Sequence, residues 1–550
     1  MQEQRGSTGL HPDGACPRRA DHCRCRQVFR QVCNRRSVPT TSVGHFLDST
    51  VRGFLPILAS QLTSILVVTY RTVPLHPVHK TGWTHQCTVC SWSWLQFSPR
   101  GLTTFLAAED CLYLNIYAPV TARVGSNLPI LVWIHGGSYH FGSTSDPGLD
   151  GSYFAETTNS IVITIQYRLG VLGYLPPTAS KSSKNLGVQD VIAALRYVNR
   201  VAASFGGDKN RVTVAGQSSG GNMVRNLLAA PCAANYFNRA ILQSDPIVSK
   251  THTYCRNYNS LHSQGFGFLS TSTFTTLQSY FYGQLSCGDC LSTPLPDIIN
   301  AQKQLITQAV SIDPSTGFAE PIRPVLDGSL LTSSLTTTFP SNLKPILLTT
   351  VKDEALTSTY QIFKNPVPAQ YFQAFATLIL GAERAAIVSN TTFYPFSESD
   401  TDVRDVFAAI GTDELWKCAG WTFARAWAAR GGTAYVGEFT LGATHPVNQD
   451  TPGCTSGGVC HQDDIFILFG TTPNPSAAQT SLTAEVQARW SAFMRGNTPN
   501  VSGQTTWNPV SSSGSITPLN LGGASAIAEG PCTPSFWGSL ARFDYQVFNQ

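Results

Sequence analysis

From about residue 106 onward, short and almost wholly apolar runs alternate with longer segments of helical periodicity, and no other feature of the chain limits its fold so narrowly. Strands are expected over 129–134 and 160–165, where there is none of the in–out alternation of a half-exposed strand. Between 188 and 203, Val191, Leu195, Val198 and Val201 share one helical face. The turn Phe205-Gly206-Gly207-Asp208 leads into a strand over 211–215, and further strands are expected over 239–243, 345–350 and 433–439. This pattern predicts the α/β class, with a central, mostly parallel twisted sheet covered by helices on both faces. A chain of 550 residues with 42% hydrophobic and 13% charged side chains has ample material for such a core. In sheets of this kind, sites form beyond the C-terminal ends of the strands, and the unusual residues of this chain cluster there.

One such end is Gly216-Gln217-Ser218-Ser219-Gly220-Gly221, which follows the strand over 211–215 and precedes a helix-compatible stretch over 222–230. The pattern G-x-S-x-G between strand and helix is that of a nucleophile elbow. Glycines two residues either side of the serine keep larger side chains from colliding with neighbouring backbone. The hydroxyl is lifted above the sheet at a helix N-terminus. A second strand end carries His135-Gly136-Gly137-Ser138, small residues whose backbone N–H groups can approach a developing oxyanion.

Several longer motifs resemble type-B carboxylesterases, the family that includes cholinesterase-like enzymes and secreted fungal lipases. They are Glu109-Asp110-Cys111-Leu112-Tyr113-Leu114-Asn115-Ile116-Tyr117, Tyr167-Arg168-Leu169-Gly170 with Gly173-Tyr174-Leu175, Phe205-Gly206-Gly207-Asp208, Gln243-Ser244, and Phe493-Met494-Arg495-Gly496-Asn497-Thr498-Pro499-Asn500. The likeness covers about residues 106–545 and implies the α/β-hydrolase fold and carboxylic ester hydrolysis without a cofactor or metal. The substrate implied is a small-molecule or lipid ester.

Carried onto this sequence, the resemblance makes Ser218 the nucleophile and gives the oxyanion hole to the backbone of Gly137, Ser138 and Ser219. The acid matches Glu354 in Val351-Lys352-Asp353-Glu354-Ala355, with Asp353 the adjacent alternative. The base matches His461 in Cys460-His461-Gln462-Asp463-Asp464, in the order serine, acid, histidine along the chain; His135 is the other histidine beside a motif. The sequence departs from the common pattern at Gln217, where glutamate is usual, at Ser138 and Ser219, where glycine or alanine is usual, and at Ala355, where glycine is usual. Arg168 and Asp190 resemble a structural ion pair of the family.

The fifteen cysteines point to an oxidising compartment. Cys418 with Cys532 resembles the family's C-terminal disulfide, and Cys454 with Cys460 could close a small loop beside His461. Cys111 needs an upstream partner, Cys87 or Cys90. Cys287 and Cys290 suggest a short-loop disulfide, or pairing of either with Cys255. Asn390 and Asn500 head glycosylation sequons. Secretion is therefore expected, although no signal of the secretory type stands at residues 1–30.

Residues 1–105 differ from the rest. They hold 12 basic against 4 acidic residues, whereas residues 106–550 hold 25 against 29. The arginines from Arg18 to Arg36 show neither a helical face nor interleaved aromatics, so no nucleic-acid partner is expected. Cys16, Cys23, Cys25 and Cys33 fit no regular zinc pattern. The apolar stretch over 54–70 is short and polar for a membrane span, and reads as a buried helix or a displaced signal-like segment. The segment is expected to be an atypical basic extension arising from an alternative or erroneous start, with the hydrolase domain over 106–550.

Overall fold

The computed structural model describes residues 111–176, 184–246, 268–285, 293–313, 316, 321–335, 338–390 and 392–537, together with the backbone of strands at 64–69, 97–98 and 101–102. Nine strands form the central sheet: β1 (Ser64–Thr69), β2 (Tyr113–Ala118), β3 (Leu128–Ile134), β4 (Ile161–Ile165), β5 (Gly207–Gln217), β6 (Arg239–Gln243), β7 (Ile346–Val351), β8 (Ala434–Phe439) and β9 (Leu519–Leu521). Their spatial order is β1-β2-β4-β3-β5-β6-β7-β8-β9. The β1–β2 and β2–β4 pairs are antiparallel. From β4 to β9 every pair is parallel. This is the doubly wound α/β-hydrolase arrangement.

The six strands expected from apolar runs lie within one or two residues of their predicted limits, apart from β5, which begins earlier and runs through Gln217. They were readable because every residue of β3, β4, β6, β7 and β8 is buried, so continuous hydrophobicity is the physical requirement. The stretch over 54–70 differs from expectation: 64–69 is a strand antiparallel to β2, not a helix. Val67-Val68-Thr69 are β-branched residues suited to a pleated strand, which the reading of hydrophobic length alone overlooked.

One face of the sheet packs Leu131, Trp133, Ala215, Ile241 and Leu347 against Leu482, Val486, Trp490 and Phe493 of a long helix, Ala477–Gly496. That helix begins with a capping box in which Ser476 and Gln479 satisfy each other's backbone N–H groups. The intervening strand residues Ile130, Val132, Val212 and Val214 are equally inaccessible, as a second covered face demands. Helices α1 (Leu186–Val201) and α2 (Ser219–Leu228) follow β4 and β5 in the chain. Arg168 and Asp190 form a bidentate buried ion pair, with Nε–Oδ2 and Nη2–Oδ1 both 2.6 Å, joining the loop after β4 to α1. Among the described residues no helix is long and apolar enough to cross a membrane.

Two expected disulfides are present, Cys418–Cys532 and Cys454–Cys460. Cys111 is disulfide-bonded, while Cys87, Cys90, Cys255, Cys287 and Cys290 lie outside the described residues. Asn390 and Asn500 are both exposed. The Asn500 side chain closes a loop on Trp507, accepting from its N–H at 2.6 Å and donating to its carbonyl at 3.1 Å.

Candidate active site

Three chain turns meet beyond the C-terminal ends of β3, β5 and β7. The first joins β5 to α2 at Ser218, whose backbone sits at φ 58° and ψ −128°. This is a conformation that residues with a side chain rarely adopt and that is held only when the surroundings demand it. The surroundings here are backbone. A Cβ on Gly216 would lie 2.4 Å from the Gly220 carbonyl oxygen, and one on Gly220 would lie 2.1 Å from that of Ile134. Ser218 N–H donates to the Gln243 carbonyl at 2.9 Å, and the Ser218 carbonyl accepts from Asn222 N–H to start α2. The serine is left partly exposed at the helix N-terminus.

The second turn follows β3. Gly137, Ser138 and Tyr139 run consecutively at φ 109°, 56° and 59°, conformations that residues with side chains rarely adopt. The Ser219 hydroxyl accepts from the Tyr139 N–H at 3.2 Å, so the elbow is tied directly to this loop. Alanine at 219 could not make that bond. His135, the other histidine beside a motif, is buried, stacks on Tyr167 at 4.8 Å, and burial lowers its pKa to about 4.

The third turn follows β7. Glu354 is fully buried; its Oε1 accepts from the Val351 N–H at 2.9 Å, and its Oε2 lies 2.5 Å from Nδ1 of His461. Asp353, the adjacent alternative, has a different task. Its Oδ2 accepts from the Val459 N–H at 2.9 Å, and its own N–H donates to the Val459 carbonyl at 2.9 Å, clamping the acid turn to the histidine loop. The His461 loop is held from within as well. Asn448 Nδ2 donates to the His461 carbonyl at 2.8 Å, the Asp463 carboxylate accepts from the N–H groups of Cys460 and His445, and Cys454–Cys460 closes the base of the loop.

Several contributors were not foreseen from the sequence. Trp416 sits in a π-helical turn, Asp413–Lys417, and its ring centre lies 5.4 Å from that of His461; such turns often occur at functional sites. Thr412 accepts from the Ala355 N–H at 3.0 Å. Asp464 is buried, accepts from Gln243 at 2.6 Å, and has its pKa raised to about 7, chiefly by burial. Burial likewise raises Asp463 to about 6. Gln217 places its Nε2 3.3 Å from Nε2 of His461. Trp416 and Thr412 lie in no motif, and although Gln217, Asp463 and Asp464 flank the elbow serine or follow the histidine in quoted motifs, their contacts arise only from tertiary placement.

The geometry brings Ser218, the Gly137–Ser219 loop pair, Glu354 and His461 to one end of the sheet. The carboxylate fixes the imidazole, and the ring nitrogen on the far side faces the elbow residue next to Ser218. Such a group can remove a proton from a hydroxyl and return it to a leaving group.

Comparison with known proteins points the same way. Residues 75–527 match the model of the carboxylesterase family, beginning inside the segment where the motifs offer no likeness. Human cocaine esterase is 47% identical over 137 residues, which is 25% of this chain and 24% of that one. Para-nitrobenzyl esterase of Bacillus subtilis (strain 168) is 34% identical over 252 residues, 45% of this chain and 47% of that one. The chain thus spans less than half the length of these curated relatives. A solved structure, titled PNB esterase, superimposes with a TM-score of 0.58 at 26% identity, over 76% of this chain and 83% of that chain. The chain belongs to the carboxylesterase family.

Proposed function

We propose that the chain is a carboxylic ester hydrolase working through Ser218, His461 and Glu354 by way of an acyl-enzyme. The observation that carries this reading is the 2.5 Å contact between a fully buried Glu354 and His461 Nδ1, set beside a serine at φ 58°. An ionised carboxylate only accepts hydrogen bonds, so the ring proton resides on Nδ1 and the Nε2 lone pair points toward the elbow. As Ser218 Oγ attacks the ester carbonyl, its proton passes to Nε2, and Glu354 stabilises the resulting imidazolium. The tetrahedral oxyanion takes hydrogen bonds from the N–H groups of Gly137, Ser138 and Ser219. The imidazolium protonates the departing alcohol, the acyl group remains on Ser218, and water repeats the sequence.

The substrate class is a small-molecule or lipid ester, as the named relatives are esterases. The two disulfides favour an exported protein, glycosylated at the exposed Asn390 and Asn500. The hydrolase domain is assigned to residues 106–550, with the strand at 64–69 of the preceding basic segment joining its sheet at one edge. The test is hydrolysis of p-nitrophenyl butyrate and oleate by the wild type and by Ser218→Ala. Turnover by the wild type that vanishes in the variant supports the reading; turnover that survives in the variant removes Ser218 from it, and an inert wild type makes the chain an esterase-like binding protein.

A further inference from the structure

We infer that Gln217 is a positioning residue for His461, its amide engaging the resting base through N–H and the protonated base through its oxygen. This rests on the reading of His461 as general base. Gln217 is the last residue of β5, immediately before Ser218, and is 1% exposed. Its Nε2 lies 3.3 Å from His461 Nε2, while His461 Nδ1 is committed to Glu354 at 2.5 Å. With the ring proton on Nδ1, Nε2 carries a lone pair, and an amide nitrogen can only donate to it. The lone pair that must take the Ser218 proton is therefore occupied at rest.

The other end of the same amide is the second observation. Gln217 Oε1 is buried and has no hydrogen-bond partner among the described residues, and it lies 3.1 Å from where a Cβ on Gly136 would stand, against the loop after β3. A buried orphan acceptor is costly unless another state uses it. Proton transfer creates that state. When the Ser218 O–H bond breaks and the proton reaches Nε2, two N–H groups face each other at 3.3 Å. Rotation about the last side-chain torsion of Gln217, which is broad and nearly two-fold, exchanges N–H for oxygen. The amide itself neither gains nor loses a proton. The charged and titratable groups around the ring are Glu354 across Nδ1, Asp463 and Asp464 on the histidine loop, and His445 from the preceding loop; Trp416 covers the ring without charge. A glutamate at 217, the commoner residue of the family pattern, would only accept. It would hold the imidazolium and suppress the free base.

The experiment measures kcat and KM for p-nitrophenyl butyrate across pH 5–9 with the whole chain, comparing wild type, Gln217→Glu and Gln217→Met. Gln217→Glu should move the acid limb of kcat/KM upward by about one pH unit, as a new carboxylate beside a histidine does. At high pH its kcat should return toward wild type, since the carboxylate still accepts. Gln217→Met, which can neither donate nor accept, should lose about tenfold in kcat with KM unchanged. An active wild type whose acid limb stays in place in Gln217→Glu overturns this inference alone. Should that variant not fold, Gln217→Met decides: an unchanged kcat, or a loss carried by KM, overturns it. A wild type that neither turns over nor reacts with a fluorophosphonate overturns the reading of the site and this inference together.

Discussion

The two sides of the site are held by different physics. The nucleophile side is built from backbone: Ser218 at φ 58°, three consecutive left-handed residues at 137–139, and glycines at 216 and 220 whose Cβ positions are already taken by carbonyl oxygens. The acid–base side is built from side chains: Glu354 on Val351 N–H, Asp353 on Val459, Asp463 and Asn448 on the His461 loop, and the Cys454–Cys460 bond. Steric exclusion leaves a single conformation and tolerates no added atom. A polar lattice divides its strength among many bonds and loses it in steps. The nucleophile side should therefore break abruptly and the base side by degrees.

Removing the reacting atom has the largest expected effect. Ser218→Ala should lower kcat by about 10⁵–10⁶ while the fold persists, measured by ester hydrolysis alongside circular dichroism. Glu354→Gln, which keeps shape but loses the charge that selects the Nδ1–H tautomer, should cost about 10⁴ in kcat. Gly220→Ala sharpens the contrast between the sides. Its Cβ would meet the Ile134 oxygen at 2.1 Å and the His135 oxygen at 2.8 Å, backbone atoms that cannot give way separately. A displaced elbow should reduce kcat/KM by about 10² or more, with KM changed less than kcat. A Gly220→Ala enzyme with native activity would break the distinction drawn here. On the other side, replacing Cys454 and Cys460 by serine opens a loop of sequence separation 6. It should cost about 2 kcal/mol of stability in denaturant melts, with a smaller loss of rate, because Asp463 and Asn448 still hold the loop.

The smallest expected effect separates the sides by pH. His135 and His140, on the loop after β3, have pKa values lowered by burial to about 4. In the unfolded chain they bind protons more readily, so they contribute stability above the ordinary histidine value of 6.5 and lose it as pH falls toward 4. Asp463 and Asp464 behave oppositely. Burial raises them to about 6 and about 7, so their contribution is present below the ordinary carboxylate range and is lost as pH rises through 6–7. His445, also on the base side, is lowered to about 4 and partly offsets them at acidic pH. Asp464→Asn should therefore flatten the fall in melting temperature between pH 5 and 7.5. An unchanged slope would remove Asp464 from the account.

Much of this molecule was legible in the sequence because its strands are buried on both faces. Continuous apolar runs located β3 to β8, and the chemical uniqueness of a glycine-flanked serine after a strand located the elbow. Glu354 and His461 were reachable through motif order. The structure brings them to 2.5 Å, and it gives Asp353 and His135, their alternatives, other work. The strand at 64–69 escaped because a short apolar stretch has no period that separates strand from helix. Trp416, Thr412, Asp464 and the amide of Gln217 escaped for another reason. Their contributions depend on which turn packs against which, a property of the assembled sheet and not of any local pattern.

The central claim is that Ser218 is activated by an imidazole that Glu354 holds in place. Its most direct test is to treat the wild type, His461→Ala and Glu354→Gln with a fluorophosphonate, follow the labelling rate, and map the labelled peptide by mass spectrometry. The account predicts a single adduct on Ser218, formed at least 10³-fold more slowly in both variants, within the range set by loss of a triad member. Labelling of another serine, or an undiminished rate in His461→Ala, would contradict it.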